Sequence, residues 1–200
     1  MSKNNRKKEI LKAAMKIFVV NGYSDTKMDD IALGAGLSKG AVYHHFSSKN
    51  ELFLSLIDYW EESFLPKFYS KDYNNISASE VLNELAGEIA NNFNKRKYLF
   101  LAELELWALA NRDKKVRERT KKLYNKILRH LEEIFKNAIK DGEYKNIDPG
   151  MAAMAVMTSM QGVIWFSIFE HHNFTAEEYI NEVMNFIING FKKASILVNT

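Results

Sequence analysis

Cysteine is absent from the 200 residues, which excludes disulfides and thiolate metal ligation and is compatible with a reducing cytoplasm. Two prolines and nine glycines are too few for a collagen-like or low-complexity chain. The charged start (Lys3, Arg6, Lys7, Lys8) leads into an amphipathic pattern rather than an apolar run, so no secretory signal is expected. The most apolar stretch, residues 151–169, is interrupted by Thr158, Ser159, Gln161 and Ser167 and has no companion, so no membrane association is expected. The histidines of His44-His45 and of His171-His172 are neighbours, which on a helix point about 100° apart and share a metal poorly. Neither Glu-x-x-His nor His-Glu-x-x-His occurs, nor a Gly-x-Ser-x-Gly elbow, nor a P-loop. Metal and covalent catalysis have no visible home, and no cofactor and no enzymatic activity are expected.

What is present is a chain with enough apolar content (46%) for a sizeable core and a net charge of only +3. That charge is uneven. Residues 1–50 hold nine Lys/Arg against four Asp/Glu, while residues 51–200 hold nineteen against twenty-one. A basic first quarter on a slightly acidic remainder suggests that an anionic partner meets the N-terminal end.

Taken in order, residues 6–21 repeat apolar side chains at Ile10, Ala14, Ile17 and Phe18 with lysines opposite, and Asn21-Gly22 supplies a helix stop. A second helix is predicted to start at Thr26, capped by its hydroxyl with Asp29 reaching back, and to bury Ile31, Ala32 and Ala35. Gly36 is the expected left-handed turn residue, because glycine takes that conformation without steric cost. Ser38 caps a third helix that buries Val42 and Phe46. A small residue at 32, glycine at 36 and a β-branched residue at 42 let two helices cross steeply around a short turn. The face left over on the third helix (Ser38, Lys39, Gly40, Tyr43, His44, His45) is poor core material.

The remaining periodicity is also helical. A fourth helix over 50–67 buries Leu52, Phe53, Leu56, Ile57 and Trp60 and ends near Pro66. Residues 70–77 read as a polar linker, and Ser77 or Ser79 caps a helix to about Asn94. A nearly apolar helix over 96–110 carries Glu103 and Glu105, and a long charged helix runs over 114–141. Asp148-Pro149 opens a helix over 149–169, and Thr175 with Glu178 forms a capping box for the last one. Strand-like alternation and internal repeats are lacking, so the fold class is all-α. The expected domains are residues 1–50, a three-helix helix-turn-helix DNA-binding domain if its last helix enters DNA, and residues 51–200, a helical domain that would then regulate and dimerise it. Met151, Met154, Met157 and Met160 wind around half the helix circumference and read mainly as core.

The pattern Ile10-Leu11-x-Ala13-Ala14-x-x-x-Phe18, Gly22-Tyr23-x-x-Thr26, Asp30-Ile31-Ala32-x-x-Ala35-Gly36-x-Ser38-Lys39-Gly40-x-x-Tyr43-x-His45-Phe46-x-x-Lys49 resembles the DNA-binding domain of the tetracycline-repressor (TetR) family over residues 6–56. The resemblance implies an all-helical homodimer that binds double-stranded DNA and is usually released by a small molecule. It implies Lys39 and His44 as base-edge readers, Gly40 as a point of close backbone approach, and Tyr43, His45, Lys49 and the Thr26 hydroxyl as phosphate anchors. Ser38, Ala41 and Lys27 complete the DNA-contacting set, Lys27 standing where the family more often has a small hydroxyl residue. A two-fold dimer presents these helices about one DNA turn apart (~34 Å), so a palindromic operator is expected.

The family's last two helices form its dimer interface, which places Met157, Gln161, Ile164, Ile168, Phe186 and Phe191 near it. A cavity for an unidentified effector is expected beside the fourth helix, lined by Trp60, Phe100, Glu103, Trp107, Tyr124, Met160 and Trp165. Glu103 is the most telling of these, since a carboxylate on an apolar helix must be paired, protonated, exposed or waiting for a cation. The alternative, a helical small-molecule-binding protein or enzyme without DNA function, would show tight ligand binding or turnover without selective retention of DNA.

Overall fold

The computed structural model describes residues 3–65, 68–69, 76–168 and 173–192. Among these the regular elements are helices: α1 (Lys3–Asp25), α2 (Met28–Gly34), α3 (Lys39–His45), α4 (Lys49–Phe64), α5 (Ala78–Arg96), α6 (Tyr98–Ala110), α7 (Lys114–Lys140), α8 (Pro149–Gln161), a 3-10 turn (Gly162–Ile164), α9 (Trp165–Ile168) and α10 (Ala176–Phe191). No strand occurs among the described residues. Nor is any described helix long and apolar enough to cross a membrane. The segment expected as a linker and the pair His171-His172 lie largely or wholly outside them.

Packing divides the chain into two units, Met1–Pro66 with Arg96–Tyr124 and Lys67–Lys95 with Asn125–Thr200. A domain boundary is expected at residue 50, after the helix-turn-helix reader. The packing instead groups the reader with α4, α6 and the first part of α7.

In the first unit α1 lies against α2, α4 and α6, and α2 against α3. Its core holds Ile10, Ala14 and Phe18 from α1, Ile31 and Ala32 from α2, Val42 and Phe46 from the end of the reader, and Leu52, Phe53, Leu56, Ile57 and Trp60 from α4. Helical geometry in α1 breaks at Gly22 (φ 75, ψ 162), where the chain must turn out. Capping of α2 falls one residue later than expected. Lys27 is the N-cap residue, and its amide donates to the Asp30 carboxylate at 2.7 Å. The reason is that the Thr26 hydroxyl is already engaged, donating to the Gly22 carbonyl at 2.7 Å. Gly36 has φ 64, its amide donates to Leu33 O and the Leu37 amide to Ala32 O, so the turn closes on the end of α2. Nothing within 4 Å would oppose a side chain there, so Gly36→Ala should cost only the left-handed backbone penalty, about 1–2 kcal/mol, read as a shift of the urea midpoint. No shift would mean that the turn relaxes out of the left-handed region.

In the second unit Ser77 is the cap of α5, accepting from the Glu80 amide at 3.2 Å, while Glu80 accepts from the Ser77 amide at 2.8 Å. Ser79 has a different task. Its hydroxyl and amide, with the Ala78 amide, donate to the Glu143 carboxylate at 2.6–2.8 Å, so an acidic side chain sits on the positive end of α5. Buried Tyr144 follows it and packs its ring against Phe135 and Phe191. Asp148 caps α8 through the Met151 amide at 2.7 Å with Pro149 at the first position, and Thr175 and Glu178 cap α10 reciprocally.

One continuous helix over 149–169 was expected, and the chain instead tightens into a 3-10 turn at Gly162–Ile164. A side chain at 162 would meet the Tyr179 hydroxyl at 2.3 Å, so glycine is what lets the tip of that ring lie over the turn. The methionine row is less buried than expected, because a 300° step per residue triplet carries it around the helix. Met151 is 73% and Met154 44% exposed, whereas Met160 is buried.

Candidate nucleic-acid interface

The face of α3 away from Val42 is open. Ser38 opens the helix, its hydroxyl oxygen accepting from the Ala41 amide at 3.2 Å. Ser38, Lys39, Gly40, Tyr43 and His44 are exposed, and Ala41 and His45 half-buried. A Cβ at Gly40, the second residue of α3, would meet nothing within 4 Å, as is also true at Gly87 and Gly190, so no internal contact requires glycine there. The His44 and His45 rings stand edge to face with centroids 5.4 Å apart.

Lys39 is held by a residue that the sequence suggested only as a capping partner for α2. Its ammonium lies 2.9 and 3.1 Å from the two carboxylate oxygens of exposed Asp29 on α2. This hydrogen bond and charge push the Lys39 pKa above the usual lysine value. The signal that could have revealed it is the ten-residue spacing across the α2–α3 turn, which is legible only once that turn's geometry is known.

The remaining expected anchors are placed differently. Lys27 is exposed. Thr26 is 1% exposed and its hydroxyl proton is given to Gly22. The Lys49 ammonium donates to Tyr23 O (2.6 Å), Ser24 O (3.0 Å) and Thr26 O (2.8 Å), and sits 4.5 Å from the Tyr23 ring centroid. In this conformation neither Thr26 nor Lys49 has a side-chain proton left for a phosphate, since an ammonium has three.

Of the residues expected around an effector, Glu103, Trp107 and Tyr124 are joined. The Trp107 indole N–H donates to the Tyr124 hydroxyl at 2.7 Å, and that hydroxyl donates to the Glu103 carboxylate. Glu103 is 4% exposed, so its charge is met by hydrogen bonding rather than by water. Burial, then the Glu103 charge and the hydrogen bond to it, push the Tyr124 phenol far above its ordinary value. Trp60 is buried and its indole N–H donates to Leu99 O at 3.0 Å, and Phe100 is buried near by in sequence. Met160 and Trp165 belong to the second unit, the former buried and the latter 60% exposed. An open cleft of about 560 Å³ in that unit, lined by Ser77, Val81, His130, Ile134, Asn137 and Glu143 among others, contains none of the seven.

On the second unit Phe186 of α10 is 67% exposed, as are Met151, Met154 and Trp165 to the extents given. Met157 and Gln161 are half-buried. Ile164 is buried within its own chain, and Phe191 packs edge to face on Phe135. The Ile168 side chain lies outside the described set. Among the described residues no three His, Asp or Glu side chains gather as metal ligands would.

Comparison with known proteins completes the picture. The family of bacterial regulatory proteins called tetR matches residues 10–56, and the C-terminal domain of BetI-type transcriptional repressors matches residues 80–189. The HTH-type transcriptional regulator QacR of Staphylococcus aureus is 25% identical over 189 residues, covering 94% of this chain and all of that protein. Among solved structures, the TetR-family regulator PfmR of Thermus thermophilus is 25% identical with a TM-score of 0.75, covering 92% of this chain and 99% of that one. AibR, solved with isovaleryl coenzyme A and operator DNA, shares the fold at 20% identity and a TM-score of 0.73, covering 90% and 97%. The relatives are regulators rather than enzymes. With family models matching both the reader and more than half of the chain behind it, this protein belongs to the TetR family and is a DNA-binding transcriptional regulator.

Proposed function

We propose that the chain acts in the cytoplasm as a homodimeric repressor that holds a palindromic operator through α3 and is released by a small molecule. The observation that carries the DNA contact is Gly40. It meets no internal contact that requires glycine and lies near the start of α3 on an open face with exposed Lys39 and Tyr43, which leaves room for a partner's backbone pressed against α3. Lys39 and His44 are then the base readers, and Tyr43, His45 and Lys27 meet phosphates. Dimerisation is supported by the family membership and by the exposed large apolar side chains Met151, Met154, Trp165 and Phe186 on α8 to α10. Effector binding is placed at the Glu103–Tyr124–Trp107 chain. A ligand there shifts the equilibrium only by the difference in its affinity for the two states.

The test is selection of binding sites from genomic DNA with the purified protein, which should recover a sequence with two-fold symmetry. His44→Ala should then relax preference at one position per half-site, worth about 1–3 kcal/mol of discrimination. Equal weakening on every sequence would move His44 from base reading to phosphate contact, and recovery of no sequence at all would defeat the operator reading.

A further inference from the structure

Beyond the break at Gly22, the end of α1 from Tyr23 and the residue Thr26 form a short connection, here called the Tyr23–Thr26 loop, that leads to the reader α2–α3 and is gripped from two helices at once. From α4, the Lys49 ammonium spends all three protons on the carbonyls of Tyr23, Ser24 and Thr26 and rests on the Tyr23 ring. From α6, the Glu105 carboxylate accepts from the Tyr23 amide at 3.2 Å. The same tyrosine packs its ring edge-on against Phe53 and tilted against Phe18. Lys49 occupies the first position of α4, where a cation opposes the helix dipole and an acidic residue would be preferred. Its presence there has a local cause in the three carbonyls it meets.

We propose that Lys49 and Glu105 form a clamp on the Tyr23–Thr26 loop, so that Lys49 is a positioning residue of the reader and not one of its phosphate anchors. The loop ends at the N-cap of α2, and α2 fixes α3 through the Gly36 turn, so the clamp sets where α3 stands relative to α4 and α6. A phosphate could recruit Lys49 only by taking protons from these three carbonyls. Glu105 lies two residues beyond Glu103 on the same helix, so a displacement of α6 at the Glu103–Tyr124 pair reaches the Tyr23 amide without passing through α4. The inference rests on the DNA-binding reading for its affinity readout, and its structural readout is independent of DNA.

The test uses the full chain and an operator fragment recovered with the wild-type protein. In the free protein, Lys49→Arg should speed amide hydrogen exchange over residues 23–31 by about tenfold or more and leave α8 and α10 unchanged, because a planar fork cannot serve three converging carbonyls. The same variant keeps the charge, so a phosphate anchor would tolerate it. The clamp predicts at least tenfold weaker operator binding, with the slope of log affinity against log salt altered by less than half a unit. Lys49→Met should behave likewise, whereas loss of one anchor from each of two subunits would lower the slope by about 1.8. Glu105→Ala removes a negative charge, which by electrostatics alone would strengthen DNA binding. The clamp predicts the opposite sign, a loss of about threefold to tenfold. Full affinity in Lys49→Arg, a slope lowered by nearly two in Lys49→Met with unchanged exchange, or tighter binding by Glu105→Ala would each overturn the clamp. If the wild-type chain recovers no operator, the DNA reading falls and the exchange measurement still decides the clamp.

Discussion

Replacing Phe53 by alanine is expected to remove about 3–5 kcal/mol of stability from the first unit and to abolish operator binding at physiological temperature. Phe53 is 1% exposed and its ring meets Phe18 at 5.3 Å and Tyr23 at 4.9 Å, both edge to face. Truncation therefore loses the transfer free energy of a benzyl group and two aromatic pairs, and it leaves a cavity that α1, α4 and the Tyr23 loop cannot all close. Because Tyr23 is the residue that Lys49 and Glu105 hold, the void opens where the reader is attached. Urea unfolding followed by tyrosine and tryptophan signals should show a lower midpoint for the transition of the first unit. A loss below about 1.5 kcal/mol would show that the site collapses around the smaller side chain, which would make the brace far softer than its packing implies.

Elements whose causes are local were legible in the sequence. The Ser38 cap, the left-handed Gly36, the Asp148-Pro149 start and the Thr175–Glu178 box each involve residues at most three or four apart, and each is formed. The buried faces of α1 to α4 follow from period alone, because one apolar stripe per helix leaves a single side for the core. What escaped depends on contacts between distant residues. Thr26 has the chemistry of an N-cap, yet its hydroxyl turns back to Gly22, and only the backbone path decides between the two partners. Glu143 reaches the start of α5 across 64 residues of sequence, and Lys49 reaches Tyr23 across 26. Period and composition carry no information about such pairs. Gly162 belongs to the same class: nothing nearby in sequence announces Tyr179, whose hydroxyl requires the missing side chain. Resemblance offers Lys39 as a base reader, and in that proposed role its pairing with Asp29 means that contact with a base would begin by breaking an exposed ion pair. Such a pair is solvent-screened and weak, so DNA can displace it.

Tyr124→Phe is the sharper test of the polar chain that joins Trp107, Tyr124 and buried Glu103 on α6 and α7. The variant keeps the ring and deletes one hydroxyl, so it removes the donor to Glu103 and the acceptor of the Trp107 indole while packing is held nearly constant. Trp107 is 38% exposed and can turn to water, whereas Glu103 is 4% exposed and has little water to turn to. The cost therefore falls on the carboxylate, and about 1–3 kcal/mol should be lost at pH 7. The pH dependence separates this from a packing defect. Tyr124 has its acidity suppressed by burial and then by the Glu103 charge, so its folded pKa lies above the unfolded value of 10.0. Such a group contributes its full stabilisation below the unfolded pKa and loses it progressively as the pH rises beyond that value, because only the unfolded chain can release the proton. Wild-type stability should accordingly fall above pH 10, and the variant should fall less steeply, narrowing the gap between them. Urea midpoints at pH 7, 9 and 10.5 measure it. A gap that stays constant across that range would mean the hydroxyl contributes through packing alone, and Glu103 would then have to be held by its other neighbours rather than by Tyr124.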